Sequence, residues 1–312
     1  MLNEHVVKVS VCCMTYNHER YIEKCLEGIL MQQTSFRFEV IIHDDVSTDG
    51  TSQILDGYYK KYPDKIRIVR PRMNRYSTGT RAIITTYLLP LAQGEYIALC
   101  EGDDYWTDPF KLQKQIDILE ANHDYSVCIH AFRVVEEGTR TKIYKAHCSD
   151  TILTFEELIR WRRRTCQTAT IVYRKEQMSE YPPFCLDCHV GDYPLMLWLA
   201  SRGKVYYISD VMSAYRRGIP SSWTSGYQNA SIEQRLALLQ TELDMLDGFD
   251  EITNRLYAHH IDRKKRMLLI HTLWRYRDVK RLKETDLSGI FRLFPLPKAL
   301  HIYFKVYFSG SN

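Results

Sequence analysis

The first hundred residues alternate between patterns typical of buried strands and patterns typical of amphipathic helices. This alternation restricts the fold more than any other feature of the sequence. Strands are predicted at residues 6–13, 38–43, 66–69 and 95–100, and helices at residues 18–33, from Thr51 onward and at residues 80–92. Because a parallel neighbour requires a crossover connection, strands separated by helices form a parallel sheet. We therefore expect an α/β fold with a mostly parallel sheet flanked by helices.

The pattern changes after about residue 125. Further strands are predicted at residues 127–135, 167–173 and 205–208, and helices at residues 155–163 and 194–201. From about residue 230 the sequence predicts successive amphipathic helices and no further strand. We expect one α/β domain over residues 1–226, and a C-terminal helical extension over residues 227–312.

The composition excludes several classes of protein. Hydrophobic residues make up 45% of the chain and charged residues 26%, which is typical of a globular protein and excludes a disordered or fibrous one. No apolar stretch reaches the roughly 18 residues that a membrane-spanning helix needs. The nine cysteines do not suggest a disulfide framework, and no secretory signal is visible at the N-terminus. These features predict a cytoplasmic protein.

The charge is unevenly distributed. Residues 252–312 hold thirteen Lys or Arg and four Asp or Glu, a net charge of +9 in a chain whose total is +4. Cations interleaved with aromatic residues suit an anionic membrane surface, which would make the protein peripheral on the inner face of the cytoplasmic membrane. A helical bundle with a solvated charged face is an equally good interpretation. The rest of the chain is acidic and carries no nucleic-acid-binding motif, which argues against nucleic acid as a partner.

Polar turns follow three of the predicted strands, at residues 14–17, 44–49 and 102–104. In open parallel sheets, ligands bind beyond the carboxyl ends of the strands. The three turns should therefore meet in one crevice.

The turn after the fourth strand carries the adjacent carboxylates Asp103 and Asp104. Adjacent buried carboxylates repel each other unless a cation or hydroxyl donors neutralise them, and oxygen ligands suit Mg²⁺ or Mn²⁺. The alternative is a solvated acidic turn before the next helix, which Asp108 and Pro109 could start.

The turns after the first two strands offer groups that could bind a nucleotide. Asp44 and Asp45 could accept hydrogen bonds from a base or a ribose, whereas capping of the next helix requires neither of them. In the Thr15–Tyr16–Asn17 segment, the tyrosine could stack on a base and the asparagine could bind a base edge. Each motif alone is weak, since surface tyrosines and helix caps are common.

Together, in this order and spacing, these motifs resemble glycosyltransferase family 2, the inverting transferases with the Rossmann-like GT-A fold. The resemblance rests on Val9 to Asn17, on Val40 to Thr51, on Asn74 and on Gly94 to Trp106, and it extends over about residues 6–217. It implies a GT-A catalytic domain at residues 1–226, with a nucleotide-sugar-binding half at about 1–124 and an acceptor-binding half at 125–226.

The resemblance also implies roles for individual residues. Thr15, Tyr16, Asn17 and either Asp45 or Asp44 would hold the base, Asp103 the ribose, and Asp104 a Mn²⁺ or Mg²⁺ bound to the donor diphosphate. Asp192, in the sequence Val190–Gly191–Asp192–Tyr193–Pro194, matches the catalytic base of the family. Pro194 is expected to start the helix, whose N-terminus would keep the carboxylate ionised; helix capping is the alternative role.

The segment Ser213 to Gly218 resembles the terminal Tyr-Arg motif of the family, although Gly218 stands where a histidine is frequent. This departure puts a third metal ligand in doubt, whereas Arg217 could still face the diphosphate. Arg81 could also reach the phosphates, although a solvated arginine on a helix is the commoner case. Residues 218–226 could form a lid over the donor.

The sequence thus predicts an inverting glycosyltransferase that moves a sugar from a nucleotide sugar, preferably a UDP-sugar, to a hydroxyl of a glycan or lipid-linked oligosaccharide in polysaccharide synthesis at the cell envelope. Two alternatives stay open, a sugar nucleotidyltransferase and a non-catalytic nucleotide- or glycan-binding scaffold. The first would usually carry a glycine-rich phosphate loop after strand one, which Met14 to Asn17 lacks.

Overall fold

The computed structural model describes residues 6–79, 82–160, 165–219, 230–287 and 289–308, with only the backbone described at residues 304, 305, 307 and 308. The chain divides into two compact units, Met1–Gly226 and Tyr227–Asn312.

The first unit is built on one ten-stranded sheet. Its strands are β1 (Val7–Thr15), β2 (Arg37–Asp44), β3 (Ile66–Val69), β4 (Tyr96–Glu101), β5 (Tyr105–Trp106), β6 (Tyr125–Glu136), β7 (Lys142–Tyr144), β8 (Thr151–Leu153), β9 (Val172–Arg174) and β10 (Lys204–Arg217). Its helices are α1 (Ile22–Leu30), α2 (Thr51–Lys61), α3 (Lys111–Ala121), α4 (Phe155–Ile159), α5 (Pro183–Leu186) and α6 (Asp192–Arg202).

The strand order along the sheet is β3-β2-β1-β4-β9-β6-β10-β5, with β7 paired to β6 and β8 to β10. The pairs β3-β2, β2-β1, β1-β4 and β6-β10 are parallel, and the shorter strands add antiparallel pairs. The chain runs from β1 outward to β3 and then returns to the other side of β1 with β4. This reversal is the topological switch point, where ligands bind in open α/β sheets.

Two register pairs bring the polar turns together. Thr15, the last residue of β1, pairs with Asp44, the last residue of β2. On its other side β1 pairs Met14 with Glu101, the last residue of β4. The three strands therefore end side by side, as the sequence predicts.

The core of this unit lies on both faces of the central strands. Val11 and Cys12 of β1 point to opposite faces and both are fully buried, because parallel strands covered by helices on both sides expose neither face. Helix α1 covers one face with residues at helical spacing, among them Ile22, Leu26 and Ile29, all of which are inaccessible to solvent.

The α/β expectation is confirmed, and three local predictions need correction. In residues 80–92, whose first two residues lie outside the described chain, Ile84–Leu88 is a π-helical turn that runs into a 3₁₀ turn at Leu89–Leu91. The predicted strand 167–173 is a 3₁₀ turn at Thr168–Thr170 followed by β9. There the Gln167 side chain accepts the N–H of Ala169, which competes with strand pairing.

The last strand is much longer than the predicted 205–208. Two register shifts, between Ile208 and Val211 and between Val211 and Ser213, bend β10 and let it continue to Arg217. This extension carries the strand to the acidic turn after β4.

The second unit is helical, as the sequence predicts. Its helices are α7 (Ile232–Ile252), α8 (Ala258–Arg275), α9 (Val279–Glu284), α10 (Ile290–Leu293) and α11 (Leu296–Phe308). Ser231 and Gln234 form a reciprocal capping box at the start of α7. Ile270, Leu273, Leu282 and Ile302 belong to its own apolar core. Among the helices of the described chain, none is long and apolar enough to cross a membrane.

Candidate active site

The acidic turn after β4 forms the most concentrated group of carboxylates in the described part of the chain. Asp104 is fully buried and Asp103 nearly so, while Glu101 is half-buried. One carboxylate oxygen from each of the three lies within 4.8 Å of the others. Asp103 and Asp104, chosen from the sequence, are thus brought together with Glu101.

The electrostatics of this cluster are unfavourable without a cation. Burial raises the pKa of Asp104 well above its usual value, and the charges of Asp103 and Glu101 raise it further. Burial also raises the pKa of Glu101, to about 8, with contributions from Asp103 and Asp192. A bound divalent cation stabilises a site most where neighbouring carboxylates would otherwise repel each other.

One atom of the cluster has an unmet polar requirement. Oδ1 of Asp104 accepts the backbone N–H of Arg216 at 2.8 Å, but Oδ2 is buried and has no hydrogen-bond partner in the described part of the chain. A buried carboxylate oxygen without a donor is costly. The donor set, composed of hard oxygen atoms, fits Mn²⁺ or Mg²⁺.

Arg216 is the cation closest to this turn in the described contacts, and sequence reasoning chose its neighbour Arg217. The Arg216 guanidinium donates to the carbonyl of Asp103 and lies over the rings of Tyr105 and Tyr21, at 4.6 and 5.1 Å from their centroids. Successive residues of a strand face opposite sides, so Arg217 points away from the side that Arg216 occupies. The alternation of side-chain direction along β10 is the signal that could have identified Arg216 from the sequence.

His18 is a second residue that the sequence analysis did not select. Its Nε2 lies 3.9 Å from Oδ2 of Asp103, and its Nδ1 is 3.1 Å from Oγ1 of Thr15. Burial lowers the pKa of His18, so the imidazole is neutral near pH 7. His18 therefore lies between Thr15 and Asp103 of the acidic turn.

Asp44 and Asp45 at the end of β2 hold loops together. Oδ1 of Asp44 accepts the N–H of Ser47 at 3.0 Å, and its other oxygen accepts the hydroxyl of Ser52. Asp45 accepts the backbone N–H groups of Arg75 and Tyr76 at 2.7 and 3.0 Å, one on each oxygen. Both carboxylates are buried, and both stabilise the loops beside the switch point.

The residues after β1 divide into a structural part and an exposed part. The backbone N–H of Asn17 donates to Oγ of Ser47, and its side-chain oxygen accepts the N–H of Thr48 at 2.8 Å, so Asn17 joins the first two loops. The Tyr16 side chain is 38% exposed, which leaves its ring available to a ligand.

Asp192 is the first residue of α6, two positions earlier than the predicted start at Pro194. Its Oδ1 accepts the N–H of Tyr193 at 2.8 Å, which is a helix-end contact. The same carboxylate lies near enough to the acidic turn for its charge to raise the pKa of Glu101. The fold thus places Asp192 close to residues far from it in sequence.

Two further candidates cannot be placed. Arg81 lies outside the described residues, and so does most of the loop 218–226, of which only residues 218 and 219 are described.

Comparison with known proteins agrees with this architecture. Residues 10–185 match the family model for glycosyl transferase family 2. An uncharacterized protein of Mycobacterium tuberculosis is 34% identical over 250 residues, which cover 78% of this chain and 70% of that protein. EpsE of Bacillus subtilis, named as a glycosyltransferase, is 36% identical over 130 residues, covering 42% of this chain and 45% of that protein.

Solved structures share the GT-A fold with this chain at low sequence identity. The S. aureus TarS structure in complex with UDP superposes with a TM-score of 0.59 at 19% identity, over 96% of this chain and 81% of that one. The mannosyltransferase PcManGT from Pyrobaculum calidifontis, solved with GDP-Man and Mn²⁺, gives 0.57 at 14% identity, over 98% and 89%. With more than half of its residues matched by the family model, the chain belongs to glycosyltransferase family 2.

Proposed function

We propose that the protein transfers one sugar from a nucleotide sugar to a hydroxyl of a glycan or lipid-linked glycan, with inversion at the anomeric carbon. The observation that carries this proposal is the buried Asp104, whose Oδ2 has no described partner and which lies at the edge where β1 and β4 end. Residues 1–124 would bind the donor and residues 125–226 the acceptor.

The donor nucleotide is proposed to be a uridine diphosphate. TarS structures have been solved with UDP and with UDP-GlcNAc, whereas PcManGT was solved with GDP-Man. Tyr16 would contact the base, and Asp103 the ribose. Asp44 and Asp45 would shape the base pocket through their loop contacts.

Asp104 is the proposed holder of Mn²⁺ or Mg²⁺, with Asp103 and Glu101 beside it. A cation bound there supplies positive charge to the leaving diphosphate. Arg216, rather than Arg217, would add a fixed positive charge at the same place, because its guanidinium already lies at Asp103.

Asp192 is the proposed general base, which takes the proton of the acceptor hydroxyl. The N-terminus of α6 favours the ionised carboxylate, and the charge of Asp192 acts on Glu101 in the acidic turn. Asp192 would deprotonate the hydroxyl of an acceptor that enters between this carboxylate and the donor site.

The acceptor is proposed to be a growing surface polysaccharide or its lipid-linked precursor. One relative, TuaG of Bacillus subtilis, is 37% identical over 111 residues, or 36% of this chain and 41% of its own length, and is named for teichuronic acid biosynthesis.

The test is donor hydrolysis and transfer with UDP-glucose, UDP-GlcNAc and GDP-mannose, each with and without Mn²⁺. The purified chain should hydrolyse a UDP-sugar only with the metal, and Asp104→Ala should abolish the reaction. Asp192→Asn should bind UDP normally but lose transfer, whereas Asp187→Asn, at an exposed carboxylate five positions earlier, serves as the matched control.

Other outcomes would decide for the alternatives. Metal-dependent UDP binding without hydrolysis or transfer on any acceptor would favour a non-catalytic scaffold. Formation of a nucleotide sugar from a nucleoside triphosphate and a sugar phosphate would favour a nucleotidyltransferase. Unimpaired transfer by Asp192→Asn would refute its role as the base.

A further inference from the structure

Helix α11 presents two apolar faces, which a helix that only packs in a bundle does not need. One face carries Ala299, Ile302 and Val306, which are buried in the core of the second unit. On another face, Leu296, Leu300 and Tyr303 are 62%, 36% and 36% exposed. These three residues are spaced four and three positions apart, so they form one stripe along the helix.

The exposed stripe continues onto the preceding helix α10. Phe291 is 47% exposed, and its ring centroid lies 5.8 Å from that of Tyr303. We call Phe291, Leu296, Leu300 and Tyr303 the docking patch. Contiguous exposed apolar side chains of this kind mark interaction surfaces more often than scattered ones do.

The surroundings of the docking patch are cationic. Residues 287–308 contain three Lys or Arg and no Asp or Glu, although the ammonium of Lys298 lies over the rings of Trp274 and Phe294. Arg292, next to Phe291, is exposed. Arg263 of α8, also exposed, donates to the carbonyl of Arg292 at 2.6 Å, which holds a second cation beside the patch.

Apolar and aromatic side chains bordered by cations match the interface of an anionic phospholipid bilayer. There the apolar groups enter the headgroup region while the cations meet lipid phosphates. A second copy of this chain fits less well, because a two-fold contact would bring together two identical patches that are both bordered by cations.

We propose that the docking patch binds the protein to the surface of a bilayer containing anionic lipids. The attachment lies in the plane of the interface, with no spanning segment among the described helices. Under this proposal both interpretations of the basic C-terminal region hold, because one face of α11 packs in the helical bundle and another faces lipid.

The test is sedimentation of the full chain with vesicles of phosphatidylcholine alone or mixed with phosphatidylglycerol, without donor or metal. The result is therefore independent of the proposed reaction. The parent should bind the phosphatidylglycerol vesicles, and more weakly as salt rises. Leu296→Ser/Leu300→Ser and Arg292→Glu should each weaken binding about tenfold. Ile143→Ser, at a residue that is 61% exposed on β7 of the first unit, should bind as the parent does.

The substituted positions are exposed, so thermal unfolding and light scattering should show folded variants of unchanged mass. Failure of the parent to bind phosphatidylglycerol vesicles would overturn the proposal. An equal loss in Ile143→Ser would do the same. So would a dimer of the parent that Leu296→Ser/Leu300→Ser converts to a monomer, since the patch would then bind a second copy.

Discussion

The backbone N–H of Arg216 donates a hydrogen bond of 2.8 Å to Oδ1 of Asp104, which joins the end of β10 to the acidic turn after β4. This contact occupies one oxygen of the fully buried Asp104 carboxylate, whose other oxygen is buried without a hydrogen-bond partner in the described part of the chain. The side chain of Arg216 then contacts the carbonyl of Asp103. A single residue therefore contacts both aspartates, the carboxylate of Asp104 and the backbone of Asp103.

Arg216→Lys should reduce donor hydrolysis by about tenfold to a hundredfold. A lysine cannot reproduce the planar guanidinium between Tyr21 and Tyr105, and a hydrogen bond from a charged group is worth about 1.5–3 kcal/mol. Steady-state rates with saturating Mn²⁺ measure the effect, with UDP affinity measured in parallel. A larger loss in Arg217→Lys would show that Arg217, as inferred from the sequence alone, is the important cation.

Gly102→Ala should unfold more easily and bind Mn²⁺ more weakly. A Cβ at this position would lie 2.6 Å from Oγ1 of Thr15 and 2.9 Å from Nδ1 of His18, so the acidic turn would have to shift. We expect a loss of about 1–3 kcal/mol in the free energy of unfolding, measured by urea titration.

Gly57→Ala is the matched control for that substitution. Gly57 lies inside α2, and a Cβ there meets nothing within 4 Å. It should stabilise the protein by about 0.5–1 kcal/mol, because alanine loses less conformational freedom in a helix than glycine. Greater stability of Gly102→Ala, or a comparable loss of stability in Gly57→Ala, would contradict the steric argument.

The stability of the protein should depend on pH through Lys111. This lysine is fully buried, with Nζ 2.7 Å from Oε1 of Gln115 and 4.1 Å from the Trp106 ring centroid, and burial lowers its pKa to about 7. Between pH 7 and the unfolded pKa near 10.5, the unfolded chain binds more protons than the folded one. The contribution of Lys111 to stability therefore rises with pH in that range, by up to about 1.4 kcal/mol per unit.

Urea denaturation at several pH values between 7 and 9 measures this dependence. The parent should gain stability relative to Lys111→Met as the pH rises, since the methionine variant has no group to titrate at this position. Parallel curves for the two proteins would show that Lys111 titrates normally.

Val46→Gly should stabilise the protein by about 0.5–1 kcal/mol. Val46 has a φ of +65°, in the left-handed region that a β-branched side chain adopts only at a cost, and it is 38% exposed, so little burial is lost. Thermal unfolding measures the gain.

Asn17→Gly provides the contrast. Asn17 also has a positive φ, of +55°, but asparagine tolerates this region, and its side-chain oxygen accepts the N–H of Thr48. This variant should lose about 1 kcal/mol. Equal effects at the two positions would mean that backbone strain is not what distinguishes them.

Much of the fold follows from local patterns. The strands β1 to β4 are predicted because apolar runs and polar turns alternate within short stretches, and the positions of Asp103 and Asp104 follow because their turn comes directly after β4. The short strands β5, β7 and β8 escape prediction, since two or three residues hold too little pattern and form only against a neighbouring strand.

The site residues divide in the same way. The loop-binding roles of Asn17 and Asp45 are invisible in the sequence, because their partners lie about thirty positions away. Helix α6 begins at Asp192 rather than at Pro194. The proline did not indicate this, because proline is tolerated in the first turn of a helix.

The sequence by itself determines the order of strands and helices and the edge of the sheet where the acidic turn lies, because these depend on the chemistry of consecutive residues. Only the tertiary structure decides that Asp104 is removed from solvent, that Arg216 rather than Arg217 meets it, and that α11 keeps an apolar face exposed. Each of these depends on which distant segments pack together, and packing sets both the burial of a charge and the direction of a side chain.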